Sequence, residues 1–381
     1  MQSYQVGQQH FPYFIEAGQY AARTNQTVYY NFHDEVYEKI DWKHKVDISI
    51  SDLYKARAEQ IRNDYDYVIV AYSGGADSQN VLDTFVQNNI HLDEIVIWHD
   101  KDITNTEDNR TNREALGVAL KRAQLEVAKN PKIKLRVIGS LETLIAFEKT
   151  ADFDIKMQIK QPWGGILVPQ RRGFWKNQIQ DYKDLIDKNK RVALVWGYDK
   201  PMLRYNVAQQ KYFTFFEDRA HGYLPTKIDL PIDNVLFYWG PEAPLITVKQ
   251  SQIIVENIRK ISEKFVDPYF SYLNNVSLND TMKLHNGVIL SRTRINSWIY
   301  PGWDVRTFSD GKIAGSFFHN PELDYWVKDK INEDVVKIWA DTGKYYRKIY
   351  NDFTSNLHRN HTYEQLGIKV GFVTTKPYFL E

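Results

Sequence analysis

A short string, Ser73-Gly74-Gly75-Ala76-Asp77-Ser78, lies between the apolar run Tyr67–Tyr72 and a helical pattern opening at Gln79. Strand, small-residue turn and helix start in one stretch predict an α/β unit whose turn is an anion cradle. Adjacent glycines let the backbone take angles closed to other residues and let a phosphate approach the amides closely. Ser73 and Ser78 add hydroxyl donors, and the first amides of the helix add partial positive charge. Asp77 is the odd member. A carboxylate beside bound phosphates repels them unless a divalent cation lies between, which points to a magnesium nucleotide. Glycine pairs also occur in strand–helix turns for steric reasons alone, but the full string is more specific. It has neither the Gly-Lys-Ser/Thr ending of a Walker loop nor the Gly-x-Gly-x-x-Gly dinucleotide pattern.

From Asp66 onward, apolar runs alternate with helical patterns. The runs are Tyr67–Tyr72, Glu94–Trp98, Ile133–Ile138 and Arg191–Trp196; between the second and third, Ala115, Val118, Ala119, Ala123 and Val127 keep helical spacing within Asn109–Lys129. This alternation predicts a parallel sheet with helices on both faces. Right-handed crossovers then bring all the strand C-termini to one edge, where ligands of such sheets bind.

The loop string resembles the PP-loop of the N-type ATP pyrophosphatases, the superfamily of asparagine, GMP, argininosuccinate, NAD and tRNA-lysidine synthetases. The resemblance is complete in the loop and confined to about Asp66–Lys200; the rest is similar to uncharacterised PP-loop proteins of tailed phages. It implies a Rossmann-like, HUP-like nucleotide-binding domain with ATP and Mg²⁺ as cofactors. Ser73, Gly74, Gly75, Asp77 and Ser78 would then form the pyrophosphate cradle, with Ala71 and Tyr72 beside it as further nucleotide-binding residues. Trp98 or His99, at the second strand end, would line an adenosine pocket, the other reading being a buried strand-end tryptophan. Gly197 would allow close backbone approach at the fourth strand end. Asp199 fits an acidic residue that holds magnesium together with Asp77, or else an Asx turn before Pro201. Lys200 would stabilise developing negative charge, which makes Asp77, Asp199 and Lys200 the catalytic candidates. The implied reaction leaves the α-phosphorus of ATP open to an acceptor oxygen; pyrophosphate departs, and a nucleophile then displaces AMP.

Composition prunes the alternatives. The chain of 381 residues has no cysteine, which excludes disulfides, thiolate metal sites and a persulfide-carrying nucleophile. An adenylyl-sulfate or sulfur-transfer enzyme therefore needs its sulfur from a partner, and a cysteine glutaminase activity is excluded. A net charge of +1 gives no global pull toward nucleic acid, though it does not exclude a local basic patch. No apolar run reaches the roughly 18 residues of a membrane span, and Met1–Gln5 lacks a signal-peptide pattern, so the expected address is the cytoplasm, the host's if the gene belongs to a phage.

Three units are expected: a helical lead-in over 1–62, the nucleotide-binding domain over 63–204, and a mixed, mostly helical substrate or interaction domain over 205–381. The lead-in contains a helix over Ser51–Ile61 capped by Ser51 or Asp52. Later helices are expected over Ser251–Val266 and Asp329–Phe353. Arg171 and Arg172 read either as bidentate phosphate-binding cations or as a solvated helix start, and Arg204 and Lys211 are alternative cations for pyrophosphate. The turn-rich loop Tyr300–Lys312 reads as a substrate-closing segment or as an ordinary connection. His358 and His361 have helical spacing but no third ligand. Three functions follow: an adenylating enzyme acting on a small-molecule or nucleoside/base acceptor, a nucleotide-binding module without turnover, or the sulfur-chemistry relative. A homo-oligomer or an amine- or sulfur-donor partner fits any of them.

Overall fold

The computed structural model describes residues 2–99, 113–150, 174–198, 200–218, 220, 224, 228–261, 283–284, 288–289, 292–303 and 373–381. Its first elements are strands β1 (Gln2–Val6) and β2 (Gln9–Phe11), helix α1 (Phe14–Thr24) and strand β3 (Val28–Phe32). The strands form an antiparallel sheet in the order β2-β1-β3. The helical lead-in is corrected here: Val28, Tyr30 and Phe32 are buried and alternate with Tyr29 and Asn31, the period of a half-buried strand. Gly7 takes the left-handed φ of +59° that the tight β1–β2 turn requires.

The short helix α2 (Asp34–Tyr37) leads to α3 (Ile50–Asp64). The cap of α3 is Ser49, ahead of both expected residues: its hydroxyl accepts the Asp52 amide at 3.1 Å. Tyr54, Arg57, Ala58 and Ile61 form the buried stripe that seats α3 on the core.

The α/β rhythm follows. Strand β4 (Tyr67–Ala71) is succeeded by α4 (Ala76–Gln87), β5 (Glu94–His99), a π-helical stretch (Arg113–Ala119) running into α5 (Leu120–Lys129), β6 (Lys134–Gly139), α6 (Ser140–Thr150), α7 (Gln180–Asp187) and β7 (Val192–Trp196). An antiparallel hairpin, β8 (Met202–Asn206) and β9 (Lys211–Phe215), precedes β10 (Asp233–Leu236). Helix α8 (Leu245–Ile261), the strand pair β11 (Lys283–Leu284) and β12 (Val288–Ile289), helix α9 (Arg292–Ile299) and strand β13 (Tyr378–Phe379) complete the described elements. The expected helix over Ser251–Val266 thus starts earlier, at Leu245. The pattern over Asp329–Phe353 and the pair His358/His361 lie outside the described residues.

One sheet organises the molecule. Its five strands run in the order β10-β7-β4-β5-β6, every neighbouring pair parallel. Its fifth strand, β10, comes from beyond the range 63–204, so the sheet draws on the segment expected to be a separate domain. Val68, Ile69 and Val70 are 0 % exposed, as a strand covered on both faces demands. Each such side chain contributes about 1.5–3 kcal/mol by burial. The register pairs Ile69 with Glu94 and Ala71 with both Val96 and Trp196, which puts Glu94, Trp98 and Trp196 on one face and Tyr72 on the other. Tyr182 of α7 hydrogen-bonds Glu94 (2.8 Å), and Gln79 of α4 accepts the Tyr72 hydroxyl, so helices cover both faces.

Residues 373–380 stitch the outer sheets together. Tyr30 donates its amide to Thr374 O (2.9 Å), Thr375 donates to Phe216 O (2.9 Å), and β13 pairs with β9. Beyond Tyr205, the aromatic residues Phe216, Phe237, Tyr238 and Trp239 are all 0 % exposed and packed in the core.

Candidate functional site

The first strand of the sheet in chain order, β4, lies at its centre. The chain adds β5 and β6 on one side and then crosses to add β7 and β10 on the other. The topological switch point therefore falls between β4 and β7, where the sheets of such folds open a crevice at their carboxyl edge. The string Ser73–Ser78 occupies that point.

Local geometry follows from residue size. Gly74 takes φ +82°, open to glycine at little cost. Gly75 is extended (φ −78°, ψ 164°) and is the N-cap of α4, which has no side-chain cap. The loop is braced from within: Ser73 Oγ and Ser78 Oγ are 3.1 Å apart, Ser78 Oγ donates to Gly75 O (3.1 Å), and the Ser73 amide donates to Ser78 Oγ (3.2 Å). From the neighbouring strand, Gly197 abuts the start of α4. A Cβ there would lie 2.7 Å from Ser78 Cα and N and 2.8 Å from Asp77 C. Only glycine lets the end of β7 approach this closely.

Two adjacent strand ends and one helix end converge on Asp77. From beyond β7, Lys200 donates through Nζ to Asp77 Oδ1; the lysine side chain is 3 % exposed and the carboxylate 26 %. From beyond β10, the Tyr238 hydroxyl donates to Asp77 O (2.8 Å) and accepts from Asn80 Nδ2 (2.9 Å). From the end of α9, the Tyr300 hydroxyl donates to Asp77 Oδ1, and Lys200 Nζ lies 5.3 Å from the Tyr300 ring centroid. Burial, and after it the Asp77 charge, holds the Tyr300 phenol well above its ordinary pKa. Tyr238 is raised likewise, by burial first and then by Tyr54 and Asp77. Both remain protonated donors at neutral pH.

The other sequence-derived residues divide. Ala71 and Tyr72 end the buried strand and support the loop from below, the Tyr72 side chain being turned to α4. Trp98 stacks on Trp196 (centroids 5.2 Å, 21°) and meets Trp175 edge-on (5.7 Å, 88°). It is half-buried, with its indole N–H lacking a hydrogen-bond partner among the described residues. His99, also half-buried, points to the opposite face of β5. Arg204 and Lys211 belong to the β8–β9 hairpin, and among the described residues Lys200 forms an ion pair with Asp77. Asp199, Arg171, Arg172 and residues 304–312 lie outside the described residues.

Sequence reasoning missed Tyr238 and the role of Tyr300. Tyr238 follows β10, a strand outside the four apolar runs readable in the sequence. Tyr300 opens the turn-rich loop read as a substrate-closing segment or an ordinary connection, but nothing local marks its partner far upstream.

Among the described residues no group of three or more His, Cys, Asp or Glu could hold a metal alone. One carboxylate at a glycine-lined helix start does suit a magnesium ion delivered with phosphates, since that ion keeps waters and takes one or two protein carboxylates. No protein-family model matches the chain, and no curated protein does. The fold and the loop define an α/β protein with a Rossmann-like, all-parallel five-stranded sheet whose switch point carries the Ser-Gly-Gly-Ala-Asp-Ser turn.

Proposed function

We propose that this protein is an AMP-forming ATP pyrophosphatase that adenylates an oxygen of a second substrate. The observation that carries the reading is the coincidence of the loop string with the switch point of the sheet, with Gly74 in a left-handed turn and Gly197 pressed against the helix start. The amides at the start of α4 and the hydroxyls of Ser73 and Ser78 would bind the β- and γ-phosphates. Magnesium, when bound with ATP, would neutralise phosphate charge beside Asp77, with Asp199 as a second candidate ligand.

The acceptor oxygen forms a bond to the α-phosphorus as the bond to the bridging oxygen breaks; that electron pair leaves with pyrophosphate. A nucleophile from an amine or similar donor then displaces AMP. Lys200, drawn to the site by Asp77 and sealed from solvent, is the group of this chain that would meet negative charge on the departing phosphates. Catalysis here is positioning and charge neutralisation.

Calorimetry with ATP, and with a hydrolysis-resistant analogue, in the presence of Mg²⁺ tests the binding half. Release of AMP and pyrophosphate in the presence of candidate acceptors tests the chemical half. Failure of all these nucleotides to bind overturns the reading, and stoichiometric binding without turnover across cell extract would instead identify a nucleotide-binding module. Asp77→Ala and Asp199→Ala are each expected to lose the Mg²⁺-dependent part of binding while remaining folded by circular dichroism. Wild-type behaviour in both removes the metal assignment.

A further inference from the structure

The contact between Tyr300 and Asp77 is built from distant parts of the chain. Tyr300 closes α9, its amide donating to Asn296 O at 2.8 Å. The preceding carbonyl, Ile299 O, accepts the Tyr54 hydroxyl of α3 (2.9 Å), and that hydroxyl accepts from Gln250 Nε2 of α8 (2.8 Å). The Tyr300 ring packs on Tyr238 (5.7 Å, 34°), which packs edge-on against Tyr54 (5.7 Å, 71°). Three helices and a tyrosine stack thus hold one phenol, 3 % exposed, against the loop carboxylate. A hydroxyl needed only for packing would not require a charged acceptor. This one shares Oδ1 of Asp77 with Lys200, and donors from two directions on one oxygen fix the orientation of the carboxylate.

We propose that Tyr300 is a positioning residue of the loop site: its hydroxyl sets the orientation in which Asp77 meets the cation carried by a nucleoside triphosphate. The inference rests on the pyrophosphatase reading for the identity of the ligand. It goes beyond that reading by giving a role to a residue outside the nucleotide-binding segment. It also makes the placement of α9 a condition for using the metal.

The test compares binding of Mg²⁺–ATP with binding of ATP in EDTA, by calorimetry on the full chain, for the wild type, Tyr300→Phe and Tyr238→Phe. Tyr300→Phe keeps the ring, its packing on Tyr238 and the contact with the Lys200 ammonium, and removes only the hydroxyl. The Mg²⁺ enhancement of ATP affinity should fall about tenfold in Tyr300→Phe, as loss of a hydrogen bond to a charged group implies. Affinity for ATP in EDTA should stay within about twofold. Tyr238→Phe, whose hydroxyl meets the Asp77 carbonyl, should lower the melting temperature and leave the enhancement intact. In an Asp77→Asn background, adding Tyr300→Phe should change the enhancement no further, which a merely structural role would not produce.

An unchanged enhancement in Tyr300→Phe, an equal loss in Tyr238→Phe, or a full extra loss in the Asp77→Asn background overturns the proposal while leaving the nucleotide site standing. Absence of Mg²⁺–ATP binding in the wild type overturns the site reading, and this inference with it.

Discussion

The central sheet holds two carboxylates in nearly the same chemical setting at opposite ends of its strands. Glu94 opens β5 and is 0 % exposed; Arg136 Nε (2.6 Å), Tyr182 OH (2.8 Å) and Tyr67 OH (2.8 Å) all donate to it. Asp77, past the end of β4, has Lys200 and Tyr300 as donors but keeps its side chain 26 % exposed. Among the described residues each carboxylate is held by a cation and by tyrosine hydroxyl donation, from Tyr67 and Tyr182 on Glu94 and from Tyr300 on Asp77. Only the second can meet a solute. A charge satisfied on every side and sealed from water is a structural joint, costly to break and indifferent to ligands. A charge braced on one side and wet on the other can exchange partners, which is what a binding site requires.

The largest effect should come from breaking the sealed joint. Arg136→Met leaves Glu94 with tyrosine donors alone, and stranding a buried carboxylate costs about 3–5 kcal/mol. Denaturant unfolding should record that loss, while any Mg²⁺–ATP affinity of the folded fraction stays at the wild-type value. A loss below about 1 kcal/mol would mean that the cluster is not sealed in solution.

A third buried charge sharpens the contrast, because among the described residues it has neither kind of support. Lys176 is 0 % exposed and its Nζ has no hydrogen-bond partner among the described residues; burial lowers its pKa to about 8, with Asp229 and Asp233 opposing the shift. The folded state therefore disfavours the ammonium. In the unfolded chain the lysine binds its proton up to about pH 10.4. Wild-type stability should rise with pH between about 8 and 10.4, because only the unfolded chain binds the proton there, and should be flat in this term below 8. Lys176→Met removes the penalty and should stabilise the fold by about 3 kcal/mol at pH 7, with the gain vanishing toward pH 10.4. Denaturant melts at both ends of that range check the sign.

Gly197→Ala attacks the open end. The added methyl meets backbone atoms of Asp77 and Ser78 at 2.7–2.8 Å, and no rotamer change relieves a backbone clash. A cost of about 1–3 kcal/mol is expected. Nucleotide binding should suffer more than this loss of stability explains, because the displaced atoms are the cradle itself. Equal melting temperatures for variant and wild type would show that the strand end sits farther from the loop.

Legibility in the sequence followed the same divide. The runs 67–72, 94–98, 133–138 and 191–196 were readable because buried parallel strands are continuously apolar, and the loop because its small residues serve a local backbone need. β1 and β3 had a period-2 signal in Tyr4, Val6, Val28, Tyr30 and Phe32, but each run is only 5 residues long. β10, only Asp233–Leu236, was too short to announce a fifth strand. The partners of Asp77 were partly visible: Lys200 lies next to a strand end already expected at the edge. Tyr238 and Tyr300 reach the site through tertiary packing, for which no local spacing rule exists. Glu94 was read only as part of a strand, since a buried carboxylate is specified by Arg136, Tyr67 and Tyr182 jointly.

The smallest stability change, and the most direct test of the divide, comes from Lys200→Met set against Arg136→Met. Both replace a largely buried cation with an apolar chain of similar reach, and both deprive a carboxylate of its ion-pair partner. Asp77, unlike Glu94, reaches water and keeps the Tyr300 hydroxyl. Solvation should therefore replace most of the lost attraction and hold the cost to about 1 kcal/mol or less. Under the pyrophosphatase reading, the same substitution weakens Mg²⁺–ATP binding by about tenfold, since one phosphate-facing cation is gone. If Lys200→Met instead destabilises the fold as severely as Arg136→Met, Asp77 is sealed after all. The two carboxylates would then be the same kind of joint, and the carboxyl edge would lose its claim to be a site.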